Sequence, residues 1–554
     1  MKSKKNKLTA EEEIIKKELA KENRRKREEE KAAQEKRIND FRKEHSAILA
    51  GITNKLFLPK DTQYIIHCGK TNSGKTYNAI EALKKNGSGV YLAPLRLLAF
   101  EIQDKLCNSG YKCSLITGEE KIIVDDSNYI ASTIEMLDYS KYYDTIIIDE
   151  AFMISDSDRG KSWTRAILDC NAREVHIIVN EEGLEVIENM LTLTHRKYEV
   201  KKYNMLQKFK FSDTPTQMSR KLVKGTVFVV FSRINVLINK LKLENLGHDV
   251  SILYGNLPPE VKKSQIDKFI SGESTMMVTT DVIGMGINLP ANSIIFLETD
   301  KFDGVCSRKL TSTEIKQIAG RTGRYGISND NSFVSATNKQ DLNYIKTNYN
   351  NFVNVPHAYI GLDYDIFSSF DESMSVIDRI ENFRMIDFIP KSLKKILLKE
   401  STSKYMGIAQ EIDKKSFTLN VKWVFLTAPI KNNNKSYFSA CVLNYEKYNK
   451  IIPPGFINYN DIKLLEDNIS EIDLYLNLSR SLNHDTTENE KYVNKKYELI
   501  EKLNNVLLDK KLCTTKTCGL CSTRIPITHP YKYCETCYEN KIRSNYNDDY
   551  FIWR

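Results

Sequence analysis

The sequence predicts an α/β protein with two tandem parallel-sheet domains, followed by a mainly helical domain and a small cysteine-rich module. From Asp61 to about Thr337, short β-branched runs alternate with helical stretches, as they do in parallel sheets flanked by helices. After about Pro356 this alternation fades and longer stretches with helical spacing follow. The C-terminal residues change again and become rich in Cys, Thr, Tyr and Pro.

Eight strands are predicted, four for each sheet. They are Tyr64–His67, Gly89–Ala93, Thr145–Ile148, Glu174–Val179, Thr226–Phe231, Val250–Leu253, Thr275–Thr279 and Ser293–Leu297. The two series are separated by Lys201–Lys224, a polar and basic stretch interrupted by Pro215, where we expect the domains to join. Met374–Lys399 and Asp461–Leu508 are predicted to be mainly helical.

These patterns predict five domains in order. They are a charged helical N-terminal arm (1–50), a first α/β domain (51–205), a second α/β domain (206–350), a mainly helical domain (351–508) and a zinc-ribbon-like module (509–554). Residues 1–45 contain 16 Lys and Arg against 11 Asp and Glu, and such mixed charges favour a solvated helix over a dedicated nucleic-acid arm.

Composition excludes several classes of protein. At 554 residues and 41% hydrophobic residues, the chain is not wholly disordered, and it has no 18-residue apolar run for a membrane helix. Eleven cysteines are too few for a disulfide scaffold of this length. The first residues have no apolar signal-peptide core, and their glutamates argue against a transit peptide. We therefore expect a soluble, cytoplasmic protein without a membrane partner.

The strongest motif is Gly69-Lys70-Thr71-Asn72-Ser73-Gly74-Lys75-Thr76, which fits the phosphate-binding pattern G-x-x-x-x-G-K-[ST]. It lies between a predicted strand and a predicted helix, so its backbone N–H groups should face phosphate at the positive end of that helix. Lys75 is expected to reach the β- and γ-phosphates of ATP, and the Thr76 hydroxyl to bind Mg²⁺. The residues predicted to bind nucleotide are Gly69, Thr71, Asn72, Ser73, Gly74, Lys75 and Thr76.

A carboxylate pair, Asp149 and Glu150, follows an apolar strand of the same α/β unit. Such a pair often only ends a strand, but beside a phosphate-binding loop it favours catalysis. Asp149 is expected to hold Mg²⁺, and Glu150 to orient the attacking water.

The second α/β domain contains the run QIAGRTGR, with Gln317, Arg321 and Arg324. Two arginines after a glycine are also typical of a solvated turn. Phosphoryl transfer, however, needs cations where charge develops on the γ-phosphate, and arginine supplies a rigid fork for that purpose. We therefore predict that these residues complete the catalytic site from the other domain, so that hydrolysis requires the two domains to close.

In this order, the three motifs resemble those of superfamily 2 helicases. The segments GKTNSGKTYNAIEAL, SGVYLAPLRLLAFEI and TTDVIGMGINLP, and VKWVFLTAPIKNNN at 421–434, are similar to segments of the Suv-three-type RNA helicases. The resemblance covers roughly residues 60–450. It implies two RecA-like domains, a helical C-terminal domain that closes a ring around one strand, and ATP-driven 3′-to-5′ unwinding with RNA favoured. That family works with 3′-to-5′ exonucleases in mitochondria and bacteria.

The resemblance also implies further site residues. Gly286 and Asn288 fall where the family lines the nucleotide side of the interdomain cleft. Contacts to the tracked strand are implied for Pro94, Leu95, Arg96, Thr117, Gly118, Ser232, Arg233, Thr279, Thr280 and Asp281. Hydroxyl groups and loop N–H groups hold phosphates without reading bases, although each hydroxyl alone is equally typical of a cap or turn.

Two CxxC pairs lie near the C-terminus, Cys518 with Cys521 and Cys534 with Cys537, separated by twelve residues. Each pair can place two thiolates on one Zn²⁺, and four thiolates complete a closed, structural tetrahedral site. A redox pair is the competing interpretation of a single CxxC, and four buried free thiols are the purely structural one. Residues 525–533 carry Pro and Tyr side chains suited to stacking on single-stranded nucleic acid or to docking a protein.

The sequence therefore predicts a monomeric ATP-dependent helicase with ATP, Mg²⁺ and structural Zn²⁺, acting on single-stranded or partly duplex nucleic acid. Two alternatives stay open: a DNA helicase, and an ATPase that remodels protein–nucleic acid complexes without separating strands. A binding adaptor with a degenerate motor is disfavoured by the intact catalytic residues. A protein partner is expected, either an exonuclease or a replication or transcription protein. The abundance of Lys, Asn, Ile and Tyr suggests a low-GC bacterium or its phage, and hence a cytoplasmic location.

Overall fold

The structure is a computed structural model. It describes residues 60–206, 209–284, 289, 291–303, 306–323, 332–455, 461–482, 488–508, 515–518, 520–521, 523–526 and 534–537, together with Phe57 and twelve positions between 21 and 40. Those twelve positions are helical and exposed, and Arg25 and Lys26 pair with Glu29 and Glu22 one turn away, as expected for a solvated helix.

An eight-stranded sheet forms the first lobe (lobe 1), in the order β4-β3-β5-β2-β6-β7-β1-β8, parallel except for the β3–β4 pair. Its strands are β1 (Gln63–Gly69), β2 (Gly89–Ala93), β3 (Cys113–Ile116), β4 (Lys121–Ile122), β5 (Tyr129–Thr133), β6 (Tyr142–Ile148), β7 (Asn171–Val179) and β8 (Tyr198–Tyr203). Its helices are α1 (Lys75–Asn86), α2 (Arg96–Asn108), α3 (Gly160–Asp169) and α4 (Glu181–Leu193), with short 3-10 turns at Ile134–Met136 and Ala151–Ser155.

A six-stranded sheet, parallel throughout, forms the second lobe (lobe 2), in the order β11-β12-β10-β13-β16-β9. Its strands are β9 (Lys210–Phe211), β10 (Thr226–Val229), β11 (Val250–Leu253), β12 (Met276–Thr279), β13 (Ser293–Phe296) and β16 (Phe333–Ala336), and a hairpin of β14 (Asp300–Phe302) and β15 (Ser307–Lys309) lies beside them. Its helices are α5 (Arg233–Asn245), α6 (Pro259–Ser271), α7 (Ser312–Ala319) and α8 (Lys339–Tyr349), with a 3-10 turn at Asp281–Gly284.

All eight predicted strands are present, because the central strands of both sheets are apolar on both faces. Helices cover both faces of a parallel sheet, so strands such as β2 and β10 are buried along their whole length and appear in the sequence as continuous apolar runs. The edge strand β8 contains only exposed and half-buried residues, and for that reason lacked such a signal.

In the described residues from 351 to 508, seven helices (the C-terminal helices) and one small parallel sheet follow. They are α9 (Tyr364–Ser368), α10 (Val376–Met385), α11 (Ser403–Ile412), α12 (Leu419–Leu426), α13 (Lys435–Tyr448), α14 (Ile462–Ser481) and α15 (Asn489–Leu508), with β17 (Ala358–Ile360) paired to β18 (Leu397–Lys399). The long helices predicted from Asp461 are confirmed. The helix predicted over Met374–Lys399 is only partly correct, because Pro390 follows the end of α10 and the chain then turns to pair β18.

The parts are joined by one continuous apolar core that runs from lobe 1 through lobe 2 into the C-terminal helices. Near the C-terminus, β19 (Thr515–Thr517) and β20 (Arg524–Pro526) form an antiparallel hairpin beside the cysteine pairs. The predicted fold class, two parallel-sheet lobes followed by a helical region and a cysteine cluster, is confirmed. None of the helices in the described ranges is long and apolar enough to span a membrane.

Candidate nucleotide site and strand channel

The phosphate-binding loop joins the end of β1 to the start of α1. Asn72 and Gly74 have left-handed backbone angles (φ 59° and 84°), which turn the loop so that α1 begins without a side-chain cap on its first N–H groups. Gly69 is required by close packing, since a Cβ there would lie 2.4 Å from the Tyr203 carbonyl oxygen. The whole loop, from Lys70 to Thr76, borders a cavity of about 360 Å³.

Lys75 is held over this loop by backbone carbonyls. Its ammonium donates to the carbonyl oxygens of Gly69 at 2.5 Å and Lys70 at 2.6 Å. Burial lowers the pKa of Lys75, and the nearby carboxylates of Glu150 and Asp149 act in the opposite direction. The amine therefore lies where a bound anion would stabilise its charge.

The two acidic residues follow β6 and line the same cavity. Asp149 is buried, and its carboxylate accepts hydrogen bonds from the Tyr91 hydroxyl and, at 2.8 Å, from the Glu150 backbone N–H. Trp163 donates to the Asp149 carbonyl at 2.9 Å, which fixes the chain at this point. Glu150 adopts a left-handed conformation (φ 49°). Burial, reinforced by repulsion from Asp149, raises the pKa of Glu150 to about 7.

Arg321 enters the cavity from lobe 2. Helix α7 begins with a capping box between Thr311 and Glu314 and ends at Ala319, so the next residues point toward lobe 1. The Arg321 guanidinium donates to the Gly284 carbonyl at 2.7 Å and lies 3.7 Å from a Glu150 carboxylate oxygen. It is buried, and this burial lowers the pKa of Arg321.

The structure thus brings Lys75, Asp149, Glu150, Gln317 and Arg321 to one cavity between the lobes. The predicted residues Gly286, Asn288 and Arg324 lie outside the described residues.

The lobes are in contact at the loop itself. The Asn72 side chain donates to the Gly320 carbonyl at 3.3 Å. A Cβ on Gly320 would lie 1.9 Å from the Thr71 hydroxyl oxygen, so only glycine permits this approach. The geometry corresponds to a closed cleft.

A partly buried ion pair at the rim of the cavity was not anticipated from sequence. Glu182, in the first turn of α4, accepts from Lys316 of α7 at 2.6 Å and from Thr313 at 3.1 Å. Lys316 immediately precedes Gln317, the first residue of the QIAGRTGR run of lobe 2. This position was the only feature of the sequence that pointed to Lys316. Nothing in the local sequence distinguished Glu182 from an ordinary acidic residue at a helix N-terminus, or Tyr91 from a core tyrosine.

A larger cavity, about 1220 Å³, lies between the two lobes and the C-terminal helices. Of the predicted strand-binding residues, Pro94, Leu95, Arg96 and Gly118 line it. The segment 421–434 contributes its other wall, from Trp423 to Asn433. We call this cavity the strand channel.

The structure does not bring the remaining predicted contacts to the channel wall. Thr117, Thr279 and Thr280 are buried. The Ser232 hydroxyl caps α5, and Asp281 pairs with Lys301. These strand-binding assignments stay predictions.

Arg233 instead connects lobe 2 to the C-terminal helices. Its guanidinium pairs with Glu466 of α14 at 2.7 Å, and the Tyr254 hydroxyl donates to the other oxygen of that carboxylate at 2.6 Å. Burial raises the pKa of Glu466, while Arg233 opposes the shift. Its predicted role on the strand likewise stays a prediction.

The four C-terminal cysteines converge. The Sγ atoms of Cys518, Cys521, Cys534 and Cys537 all lie within 4.8 Å of one another. The backbone N–H of Cys521, followed by that of Cys534, which donates to the Cys518 sulfur at 3.2 Å, lowers the pKa of Cys518 to about 6. Residues 527–533, which carry most of the predicted stacking surface, are outside the described part of the chain.

Comparison with known proteins agrees with this geometry. Residues 59–203 match the DEXQ-box helicase domain of Suv3, and residues 201–326 match the helicase conserved C-terminal domain. The mitochondrial DExH-box ATP-dependent RNA helicase DExH16 of Arabidopsis thaliana is 31% identical over 442 residues, which cover 76% of this chain and 77% of that protein. The mitochondrial ATP-dependent RNA helicase SUV3 of Oryza sativa is 32% identical, covering 76% and 75%. The chain belongs to the SUV3 family of ATP-dependent RNA helicases.

Relatives outside plants are also similar to this chain. The mitochondrial ATP-dependent RNA helicase SUV3 of Candida albicans is 41% identical over 289 residues, 51% of this chain, and the match spans only 40% of that relative's length. Membership of the SUV3 family confirms the predicted resemblance and the predicted enzyme class, an ATP-dependent helicase with RNA favoured as its nucleic acid.

The predicted cytoplasmic location, in a bacterium or in the host of a phage, is wrong. The relatives in two fungal genera and in plants are mitochondrial helicases. The prediction rested on amino-acid composition and on the first residues of the chain. Composition follows the base content of a genome, not the compartment in which a protein works.

Proposed function

We propose that this chain couples ATP hydrolysis between its lobes to 3′-to-5′ movement along single-stranded RNA, and separates duplexes as it moves. The observation that carries the proposal is the shared cavity, in which Arg321 of lobe 2 approaches Glu150 of lobe 1 near Lys75. A catalytic site divided between two lobes links each hydrolysis event to their spacing. The direction of movement rests on the family resemblance.

Each residue of the cavity has a role set by its chemistry. Lys75 and the loop N–H groups bind the phosphates of ATP, and Glu150, with a pKa of about 7, orients and deprotonates water near neutral pH. Arg321 stabilises the charge that develops on the γ-phosphate, with Arg324 and Gln317 assigned to the same step. Gly286 and Asn288 are proposed to contact the nucleotide from lobe 2.

The donor set also fits Mg²⁺. The Thr76 hydroxyl and the Asp149 carboxylate line one cavity, and both are the oxygen ligands that this cation prefers. When bound, Mg²⁺ neutralises phosphate charge. Tyr91 fixes the orientation of Asp149 through its hydroxyl hydrogen bond.

The strand is proposed to pass through the strand channel, held mainly by its backbone. The lining residues Pro94, Leu95, Arg96 and Gly118 support this path. The assignments of Thr117, Ser232, Arg233, Thr279, Thr280 and Asp281 to strand binding belong to the same proposal.

Zn²⁺ is proposed at the four C-terminal cysteines. Zn–S bonds of about 2.3 Å in a tetrahedron place the sulfurs about 3.8 Å apart, close to the observed cluster, in which all four lie within 4.8 Å. Four thiolates leave no open position, so the ion would be structural. Metal analysis should give one equivalent of zinc, lost in a Cys518→Ser/Cys534→Ser variant; less than about half an equivalent in the native protein would exclude the site.

The remaining parts of the proposal concern organisation. The domains are proposed to lie at 1–50, 51–205, 206–350, 351–508 and 509–554, and the motor to act as a monomer with a 3′-to-5′ exonuclease as partner. Sedimentation of the full chain tests the monomer, and RNA degradation coupled to unwinding in a mixture with a purified 3′-to-5′ exonuclease tests the partnership.

Strand separation is the experiment that tests the function. RNA duplexes with a 3′ or a 5′ overhang, and the matching DNA duplexes, are incubated with ATP and Mg²⁺ and with the native protein or Lys75→Ala. We expect ATP-dependent unwinding of the 3′-overhang RNA and none with Lys75→Ala. ATPase activity stimulated by RNA without strand separation would instead support a remodelling ATPase, and preference for the DNA duplexes would support a DNA helicase.

A further inference from the structure

Helices lie on both faces of the lobe 1 sheet, and the nucleotide cavity touches both sets. Alternate residues of β2 point to opposite faces: Tyr91 belongs to the apolar core shared with α1 and α2, and Leu92 to the core shared with α4. The cavity is lined from the first face by α1 and α2, and from the second face by the first turn of α4. It therefore passes around the carboxyl edge of the sheet from one face to the other.

The cavity reaches solvent on each face. On the first face it is lined by the exposed residues Tyr77 of α1 and Lys105 of α2, and we call this side the front opening. On the second face it is lined by Asn350 and Phe352, exposed residues that follow α8, and we call this side the rear opening. Tyr77 is 67% exposed and Phe352 is 54% exposed, whereas the catalytic carboxylate and arginine between the two openings are buried.

A bound nucleotide fills the front opening. Its phosphates lie along the loop and the first N–H groups of α1, and the γ-phosphate lies between Lys75, Glu150 and Arg321. The ribose and base extend the other way, past Tyr77. Hydrolysis adds a water oxygen to the γ-phosphorus and breaks its bond to the bridging oxygen, which stays on ADP. ADP therefore still occupies the front opening, while the free phosphate faces the rear one.

Lys316 places a positive charge at the rear opening. Its ammonium donates to the Glu182 carboxylate and to the Asn351 carbonyl, each at 2.6 Å, and lies 5.7 Å from the centre of the Phe352 ring. The side chain is 25% exposed, so water already reaches it. A lysine ammonium has three donors that turn freely, so Lys316 can keep its bond to the carbonyl while it exchanges the carboxylate for a phosphate oxygen.

We propose that inorganic phosphate leaves through the rear opening while ADP is still bound, and that Lys316 guides it by exchanging Glu182 for the phosphate. The pair between these two residues joins lobe 2 to lobe 1. Its exchange therefore loosens the interlobe contact as phosphate departs, and the cleft opens after hydrolysis and not before it. This exit route rests on the ATPase function proposed above.

The experiment obstructs each opening separately in the full chain, in the presence of oligouridylate. Phe352→Cys and Tyr77→Cys are each coupled to polyethylene glycol maleimide, with coupling verified by mass. The native protein, which has its own exposed cysteines Cys107 and Cys306, is treated in the same way as the control. Acid quench measures ATP cleavage, a fluorescent phosphate-binding protein measures phosphate release, and a ribose-labelled fluorescent ATP measures nucleotide entry.

In coupled Phe352→Cys, phosphate release should lag behind cleavage by at least about tenfold, while nucleotide entry changes by less than about twofold. In coupled Tyr77→Cys, nucleotide entry should slow and phosphate release should still follow cleavage directly. The guiding role is tested with Lys316→Gln and Glu182→Gln, which break the same interlobe pair, although only the first removes the cation. At saturating ATP, release relative to cleavage should slow about threefold to tenfold in Lys316→Gln and stay unchanged in Glu182→Gln.

Phosphate release that keeps pace with cleavage in coupled Phe352→Cys would overturn the exit route, as would a lag in coupled Tyr77→Cys of the same size. Equal slowing of release in Glu182→Gln and Lys316→Gln would show that lobe closure, and not the cation, controls release. If Phe352→Cys melts at a lower temperature than the native protein, Asn350→Cys at the same opening is judged by the same readouts. A native protein that does not cleave ATP would overturn the proposed function instead.

Discussion

Replacing Glu182 by Gln should weaken closure of the two lobes. Glu182 is buried and receives hydrogen bonds from Lys316 at 2.6 Å and Thr313 at 3.1 Å, both on α7 of lobe 2. Both residues line the nucleotide cavity. The substitution removes one charge and keeps the shape of the side chain, so its effect reports on the interlobe contact.

The magnitude follows from the surroundings of Lys316. Removing one partner of a fully buried ion pair costs about 3–5 kcal/mol. The Lys316 side chain, however, is 25% exposed and keeps its 2.6 Å hydrogen bond to the Asn351 carbonyl, so water and this carbonyl compensate in part. The amide of Gln also remains an acceptor for Thr313. We expect a loss of about 1–2 kcal/mol in the free energy of closure, which lowers the ratio of closed to open molecules about fivefold to thirtyfold.

The assay separates ATP binding from turnover. ATP contacts both lobes only in the closed state, so KM for ATP should rise, by at most the same factor of about fivefold to thirtyfold. The value of kcat at saturating ATP and RNA should fall by a smaller factor than the rise in KM. Fluorescence transfer between labels on the two lobes measures closure directly. The control is Asp104→Asn, which breaks an exposed interlobe pair with Lys263 and should change KM by less than about twofold. An unchanged KM and unchanged transfer in Glu182→Gln, or equal effects in the control, would refute the reasoning.

Two further predictions concern the same closed state. Gly320→Ala places a Cβ 1.9 Å from the Thr71 hydroxyl oxygen of lobe 1 and 2.8 Å from the Lys316 carbonyl oxygen of its own lobe, so RNA-stimulated turnover should fall at least tenfold, with a small loss in melting temperature. Gly455→Ala, with open space around it and outside both cavities, is the control, and normal turnover in Gly320→Ala would show that the lobes need not approach this closely. RNA affinity should decline above about pH 8, because Lys262, facing Arg96, Lys431 and Glu260, has a pKa of about 8 in the free protein and must take up a proton when phosphates bind. Anisotropy titrations between pH 7 and pH 9.5 check this, and Lys262→Gln should have a flatter pH dependence.

The sequence alone was sufficient for features encoded in short stretches of chain. The central strands were predictable because burial on both faces leaves apolar runs, and the phosphate-binding loop because phosphate contact demands Gly69, Gly74 and Lys75 at set spacings. The paired carboxylates and the QIAGRTGR run were recognisable for the same reason, and together they indicated the family. Composition misled the prediction of location, since it does not report on the compartment.

Only the tertiary structure decided which distant residues meet. Glu182 and Lys316 are 134 positions apart, and neither differs in its local sequence from an ordinary surface residue. Lys262 and Lys431 were likewise unremarkable lysines until the closed lobes and the C-terminal helices brought them to Arg96. Local patterns record which residues a helix or strand can contain. Pairing and repulsion between elements depend on distances that only the packed chain sets.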